Sequence, residues 1–308
     1  MDPTVAVTFS IYGNFDLNRL KFSIMSLSRQ DYSPLELIVS EQNDFPKFEK
    51  ESKKLGIKYI FSKNPQGEEV IYNPGKIRNQ ALNEVTSEYV YTNDSDIVFM
   101  YPNYLKKLVN LMESDKNLIL QKPPMRRLLL NSFDSFKDGV DKEGMENTLN
   151  NLIFPNYYVA TSNKNENAAL VVRTNSDGRT YTIKASDFLE YLSNENLKGL
   201  EPTVWFDIVH PGGIFARSSQ IKSVEGYCEE YRTWGQEDYD LQWKLGELYN
   251  LQDISDNEEF RVLHFDHKKN YFSKRNHLNN QEIYFKRMNQ GIKRVIEFDK
   301  KNTYKNEK

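Results

Sequence analysis

From Val5 to about Leu120 the chain alternates short apolar runs with longer stretches whose apolar residues recur every three or four positions. Runs of four to eight apolar residues read as strands, and the longer spacing reads as helices with one buried face. The pattern predicts strands over 5–10, 35–40, 57–61, 89–93 and 118–121. Between them, 16–29 sets Leu17, Leu20, Ile24 and Leu27 on one helical face, 45–55 reads as a charged surface helix, and 74–85 opens with a proline suited to a first turn. A further helix is predicted over 102–114. This order predicts parallel strands joined by crossover helices, an α/β, Rossmann-like half.

The rhythm lapses over 122–203, which carries Pro123-Pro124, Met125-Arg126-Arg127 and an Asn-rich stretch at 163–167. It reads as an insertion beside the main sheet. Its short β-prone pieces lie at 157–161, 170–173 and 180–183, with one helix-like run at 186–193, since about 80 structureless residues would be unusual in a compact domain. Regular patterning returns with a strand over 204–209, helices near 219–224 and 237–249, and an apolar run over 260–265. The expected division is a ligand-binding half over 1–121, an insertion over 122–203, a second half of the same domain over 204–290, and a fraying basic tail over 291–308.

Composition narrows the function. The 308 residues hold 41 basic and 44 acidic side chains, net -3, which argues against a general polyanion binder and so against nucleic acid as the main partner. A lone cysteine, Cys228, excludes an internal disulfide and a cysteine zinc cluster. That suits a reducing, cytoplasmic setting. No stretch approaches the roughly 18 apolar residues of a spanning helix, and the start shows no basic and apolar leader pattern.

Three constellations carry candidate chemistry. In Asn93-Asp94-Ser95-Asp96, two carboxylates one residue apart follow an apolar strand, so an extended backbone would aim both at one ligand at the strand's carboxyl end. A hard divalent cation on a diphosphate would suit them; a polar turn with Asp94 as a helix cap is the plainer reading. The second runs from His210-Pro211-Gly212-Gly213 to Trp234-Gly235-Gln236-Glu237-Asp238-Tyr239-Asp240. Paired glycines admit a ligand close to backbone, and acidic residues favour a helix start, which is also all that Glu237 and Asp238 need be doing. The third is His264-Phe265-Asp266-His267, two imidazoles that share a metal only if the chain turns between them.

Taken in this order, the constellations resemble GT-A glycosyltransferases, with a family-2-like amino-terminal half and a carboxyl-terminal motif like that of the β-1,4-galactosyltransferases. The resemblance implies a mixed sheet flanked by helices and a metal-dependent, inverting transfer from a UDP-sugar. The sugar it implies is galactose or an N-acetylhexosamine, and the acceptor a hydroxyl of a glycan, glycolipid or protein. It implies Asp238 as catalytic base, and Trp234, Glu237 and Tyr239 at the acceptor, Tyr239 standing where the family often has an acid. It assigns Ser10, Tyr12, Glu41, Arg78, Asp94, Gly212 and Gly213 to the donor, and Asp96, His264 and His267 to a manganese or magnesium ion. Tyr12 could equally pack on the first helix, and Arg78 could be a surface ion-pair residue. A nucleotidyltransferase and a sugar-nucleotide-binding module without turnover are the alternatives. Peripheral membrane contact is compatible with either; a transmembrane segment is not expected.

Overall fold

The protein is described by a computed structural model, which covers residues 2–13, 15–64, 72–128, 133–152, 157–161, 169–174, 180–184, 204–265 and 273–302. The expected helix-like run at 186–193 and His267 lie outside the described residues.

The amino-terminal elements follow the predicted order: β1 (Val5–Tyr12), α1 (Leu17–Leu27), β2 (Leu35–Asn43), α2 (Glu49–Leu55), β3 (Lys58–Lys63), α3 (Pro74–Asn83), β4 (Tyr89–Asp94), β5 (Ile97–Phe99), α4 (Tyr104–Met112) and β6 (Leu118–Gln121). Local chemistry sets the helix starts. The Asp16 carboxylate accepts from the Asn18 N–H at 3.0 Å, and Asn73 accepts from the Lys76 N–H at 2.9 Å just ahead of Pro74. After them come β7 (Pro124–Leu128), α5 (Phe133–Asn150), β8 (Tyr157–Thr161), β9 (Ala169–Thr174), β10 (Thr180–Lys184), β11 (Val204–Val209), β12 (Ile214–Arg217) and α6 (Ser218–Ser223). The chain continues through α7 (Glu237–Gly246), β13 (Asn250–Asp253), β14 (Val262–Phe265), α8 (Lys274–Gln290) and α9 (Ile292–Asn302).

Seven strands form the main sheet in the order β13-β6-β12-β4-β1-β2-β3. Strands β4, β1, β2 and β3 run parallel, and β12 lies antiparallel between β4 and β6, making the sheet mixed. Strand alternation sends Val5, Val7 and Phe9 toward α1 and α4, where Leu20, Ile24, Leu105 and Leu108 bury them. The opposite face places Ala6, Ile38 and Val90 against Ala81 and Leu82 of α3 and Leu241 and Leu245 of α7. A four-stranded sheet, β11-β7-β14-β5, carries the segment after β4 back toward the site, and β8, β9 and β10 pair among themselves.

The structure adds elements that the pattern did not predict. Within 122–203, β7 pairs parallel with β14 and antiparallel with β11, and α5 packs Phe133 and Phe136 on Phe22 of α1 and Phe265 of β14. Within the expected tail, α9 buries Val295 and Asp299. The whole of α8 had also escaped, because its exposed residues are mostly polar and its mean pattern carries little apolar signal.

Candidate active site

The site forms at the carboxyl ends of β1 and β4, where open α/β sheets place ligands. Its centre is Arg78, projected from α3 across the sheet face. Arg78 Nη1 donates to Asp238 Oδ1 at 2.6 Å and lies 3.4 Å from Glu237 Oε1, while Nη2 donates to Asp94 Oδ1 at 2.7 Å. The Tyr227 ring lies 5.1 Å from the guanidinium carbon. His210 Nε2 meets Asp94 Oδ2 at 3.1 Å, so both Asp94 oxygens are engaged.

The charge balance of this cluster sets its titration. Removal from water favours protonated Asp94, but Arg78 and His210 overcome that and hold its carboxyl well below the usual range. Asp238 goes the other way. Burial outweighs the attraction of Arg78, the neighbouring Glu237 and Asp94 charges add repulsion, and its carboxyl is pushed up to about 7. Burial likewise raises Glu237. Arg78 stays cationic, because its carboxylate partners more than offset its desolvation.

The backbone that presents Asp238 is unusual. Thr233, Gly235 and Gln236 have φ of +60°, +113° and +75°. A β-branched threonine in this region costs on the order of 1–3 kcal/mol and persists only where the surroundings hold it. The Thr233 N–H donates to the Tyr72 carbonyl at 2.7 Å, and the Gly235 N–H donates to Glu237 Oε2 at 2.9 Å. Glu237 therefore secures its own loop, while Trp234 and Tyr239 stand about half exposed beside it.

Gly212 and Gly213 form the opposite wall. A Cβ on Gly212 would lie 3.4 Å from both Asp94 oxygens, and one on Gly213 would lie 2.8 Å from His210 Nδ1 and from Pro123 Cδ. A side chain at Gly213 would have to displace His210 or Pro123, whereas one at Gly212 would need His210, 3.2 Å away at Nε2, to give by only a few tenths of an ångström.

At the carboxyl end of β1, the Tyr12 ring lies 4.7 Å from that of Tyr72, tilted by 30°, and the Tyr72 hydroxyl hydrogen-bonds Ser10. Ser10 and Tyr12 belong to β1 itself rather than to a loop after it. Glu41 is almost fully buried, and its carboxylate accepts from Asn43 Nδ2, the Lys47 and Phe48 N–H groups and the Tyr59 hydroxyl, a set of local ties that fixes the start of α2.

The paired-carboxylate expectation needs a correction in geometry. Strand β4 ends at Asp94 and Ser95-Asp96 form a turn, so the extended i, i+2 alignment does not hold. Asp94 points to Arg78 and His210, whereas Asp96 Oδ2 lies 3.5 Å from His264 Nε2 of β14. A carboxylate oxygen and an imidazole nitrogen this close, both nearly buried, fit two ligands of one divalent ion. Among the described residues, no group of three or more His, Cys, Asp or Glu converges in a way that could hold a metal.

His210, Tyr72 and Tyr227 join the site without having been singled out. His210 was visible in its motif. Tyr227 stands in the same motif, after Gly226, and Tyr72 is hidden among 19 tyrosines.

Residues 10–139 match the family model described as glycosyl transferase family 2. This marks the chain as glycosyltransferase-like at the superfamily level. Among solved structures, the chain is similar to the crystal structure of S. aureus TarS 1-349, at 16% identity and a TM-score of 0.45 over 85% of this chain. It spans 60% of the length of that chain. No curated protein matches. Among the described residues, no helix is long and apolar enough to cross a membrane.

Proposed function

We propose that the protein is a metal-dependent inverting glycosyltransferase that moves galactose or an N-acetylhexosamine from a UDP-sugar to a hydroxyl of a glycan, glycolipid or protein acceptor. The observation that carries this reading is the cluster in which Arg78 binds the Asp238 carboxylate at 2.6 Å beside Glu237, Asp94 and His210, where burial and the neighbouring carboxylates push the Asp238 carboxyl up to about 7. A carboxylate of that basicity suits a general base at neutral pH far better than one of ordinary acidity.

Asp238 accepts the proton of the acceptor hydroxyl as its oxygen attacks the anomeric carbon. Trp234 and Tyr239, each about half exposed, would contact the acceptor sugar through their rings. Arg78 supplies fixed positive charge where the diphosphate departs, and Gly212 and Gly213 let the donor approach backbone. Ser10 and Tyr12 would contact the uridine; Asp94 orients Arg78 and would contact the ribose. Asp96 and His264, with His267, would hold a manganese or magnesium ion, which when bound neutralises charge on the leaving diphosphate.

The test is an array of UDP-sugars and acceptors read by released nucleotide. Release of UDP that depends on an acceptor supports the proposal. Pyrophosphate release from nucleoside triphosphates would make the protein a nucleotidyltransferase, and donor binding without turnover would make it a binding module.

A further inference from the structure

We infer that Asn280 of α8 is a positioning residue for the loop carrying Trp234 and Asp238, so that the carboxyl-terminal helices brace the acceptor side of the site. The inference rests on the proposed roles of those two residues.

Asn280 is 1% exposed, and its single amide spans the loop. Nδ2 donates to the carbonyls of Arg232 at 2.9 Å and Gly235 at 3.0 Å, while Oδ1 accepts from the Arg232 N–H at 3.2 Å. These bonds straddle Thr233 and Trp234, within the stretch where Thr233, Gly235 and Gln236 have positive φ. One turn earlier on α8, the His277 ring stacks on the Trp234 indole, with centroids 5.9 Å apart and planes 18° from parallel. A Cβ on Gly235 would lie 2.9 Å from His277 Nδ1, so the glycine is what lets the ring seat there.

The same face of α8 reaches past the base. Arg287 Nε donates to Asp240 Oδ1 at 2.7 Å, two residues beyond Asp238. Residues 277, 280 and 287 fall on one helical stripe, and together they hold the chain on both sides of the catalytic carboxylate. Because side chains from three turns of one rigid element fix the loop, a shift of α8 moves Trp234 and Asp238 together. Reaction rates fall steeply with displacements of about 1 Å, so such a brace acts on turnover without touching substrate.

Asn280→Ala in the full chain tests this. Transfer kcat should fall about tenfold or more and the acceptor KM should rise, while UDP affinity, measured by direct titration, stays within about twofold. Trp234 emission, taken as the difference from a Trp234→Phe background, should shift to the red and become more open to acrylamide. Asn280→Asp should be as impaired, because a carboxylate cannot donate to two carbonyls. Unchanged kcat and Trp234 emission would overturn the inference, and so would a parallel loss of UDP affinity, which marks a general folding role. If Asn280→Ala does not fold, Asn280→Ser should show the same split to a smaller degree, and its absence counts equally against the brace. If the wild-type protein transfers no sugar to any acceptor, the functional proposal fails on its own. Trp234 emission then decides the brace alone, a red shift supporting it and no change overturning it.

Discussion

Arg78 binds Asp238 at 2.6 Å with the same guanidinium that binds Asp94 at 2.7 Å, so the proposed base and the strand-end carboxylate share one cation. The sharing is unequal in effect, since Asp94 is held ionised while Asp238 is left titrating near neutrality, at about 7. Four groups face Asp238: Arg78 from α3, Glu237 beside it on α7, Asp94 from β4 and His210 from the turn before β12. A base works only when deprotonated. Transfer per unit acceptor should therefore rise about tenfold per pH unit below a midpoint near 7 and level off above it. Arg78→Ala removes the attraction that favours the ionised form, so the midpoint should move upward and the plateau should fall. A rate flat from pH 5 to 9 would dissociate Asp238 from the chemistry.

Asp238→Asn separates chemistry from binding. Transfer should drop by about a hundredfold or more while UDP-sugar affinity persists. Stability provides a second reading, with a definite sign. The native carboxyl titrates at about 7 against the ordinary aspartate value of 3.8, so between those pH values the folded state binds the extra proton, and wild-type stability falls as pH rises through that window. Asparagine carries no such penalty. Its melting temperature relative to wild type should be higher at pH 8 than at pH 5, and a pH-independent difference would contradict the assignment.

The proposed metal dependence rests on the Asp96–His264 pair. Chelation should abolish transfer, and manganese should restore it better than calcium, because imidazole suits manganese and calcium prefers oxygen. His264→Ala and Asp96→Ala should each raise the manganese concentration needed for half-maximal transfer. His267→Ala tests whether the segment after β14 supplies a further ligand. Full activity in excess chelator would remove the ion from the account.

Much of this was readable in the chain because burial imposes a period on it. The apolar alternation of β1 and the helical spacing of Leu17, Leu20, Ile24 and Leu27 follow from packing on one sheet, and the structure places those strands and helices within a few residues of their expected ends. Short strands such as β5 and β12 gave no periodic signal, whereas β6, equally short, is legible from its apolar run Leu118-Ile119-Leu120. The site motifs were legible as residue types, but their pairing was not. That Asp94 and Asp96 part company follows from a turn at Ser95-Asp96, which identical residue types in a longer strand would not make. The role of α8 was also invisible, since its contribution lies in one buried amide and one buried arginine on a helix that is otherwise polar.

That arginine belongs to a buried ion cluster that ties α7 to both carboxyl-terminal helices, and the cluster sets the last prediction. Arg287 donates to Asp240 and to both oxygens of Asp299, and Lys244 Nζ donates to Asp299 Oδ2 at 2.7 Å and to the carbonyls of Val224 and Gly226. All four charged side chains are at most 4% exposed. Two cations face two carboxylates, and the carboxylates hold Arg287 firmly charged against its burial. Asp299→Ala leaves both cations in the protein interior with one carboxylate between them, a change that typically costs about 3–5 kcal/mol. The expected fall in melting temperature is on the order of 5–15 °C for a domain of this size. Because the cluster is buried, added salt should not alter the difference much. The cause is imbalance rather than the loss of contacts as such, so removing one cation as well should recover part of the loss. Lys244→Met with Asp299→Leu should melt above Asp299→Ala alone. A double variant no more stable than Asp299→Ala would show that the geometry of the cluster, and not its charge balance, holds α9 in place.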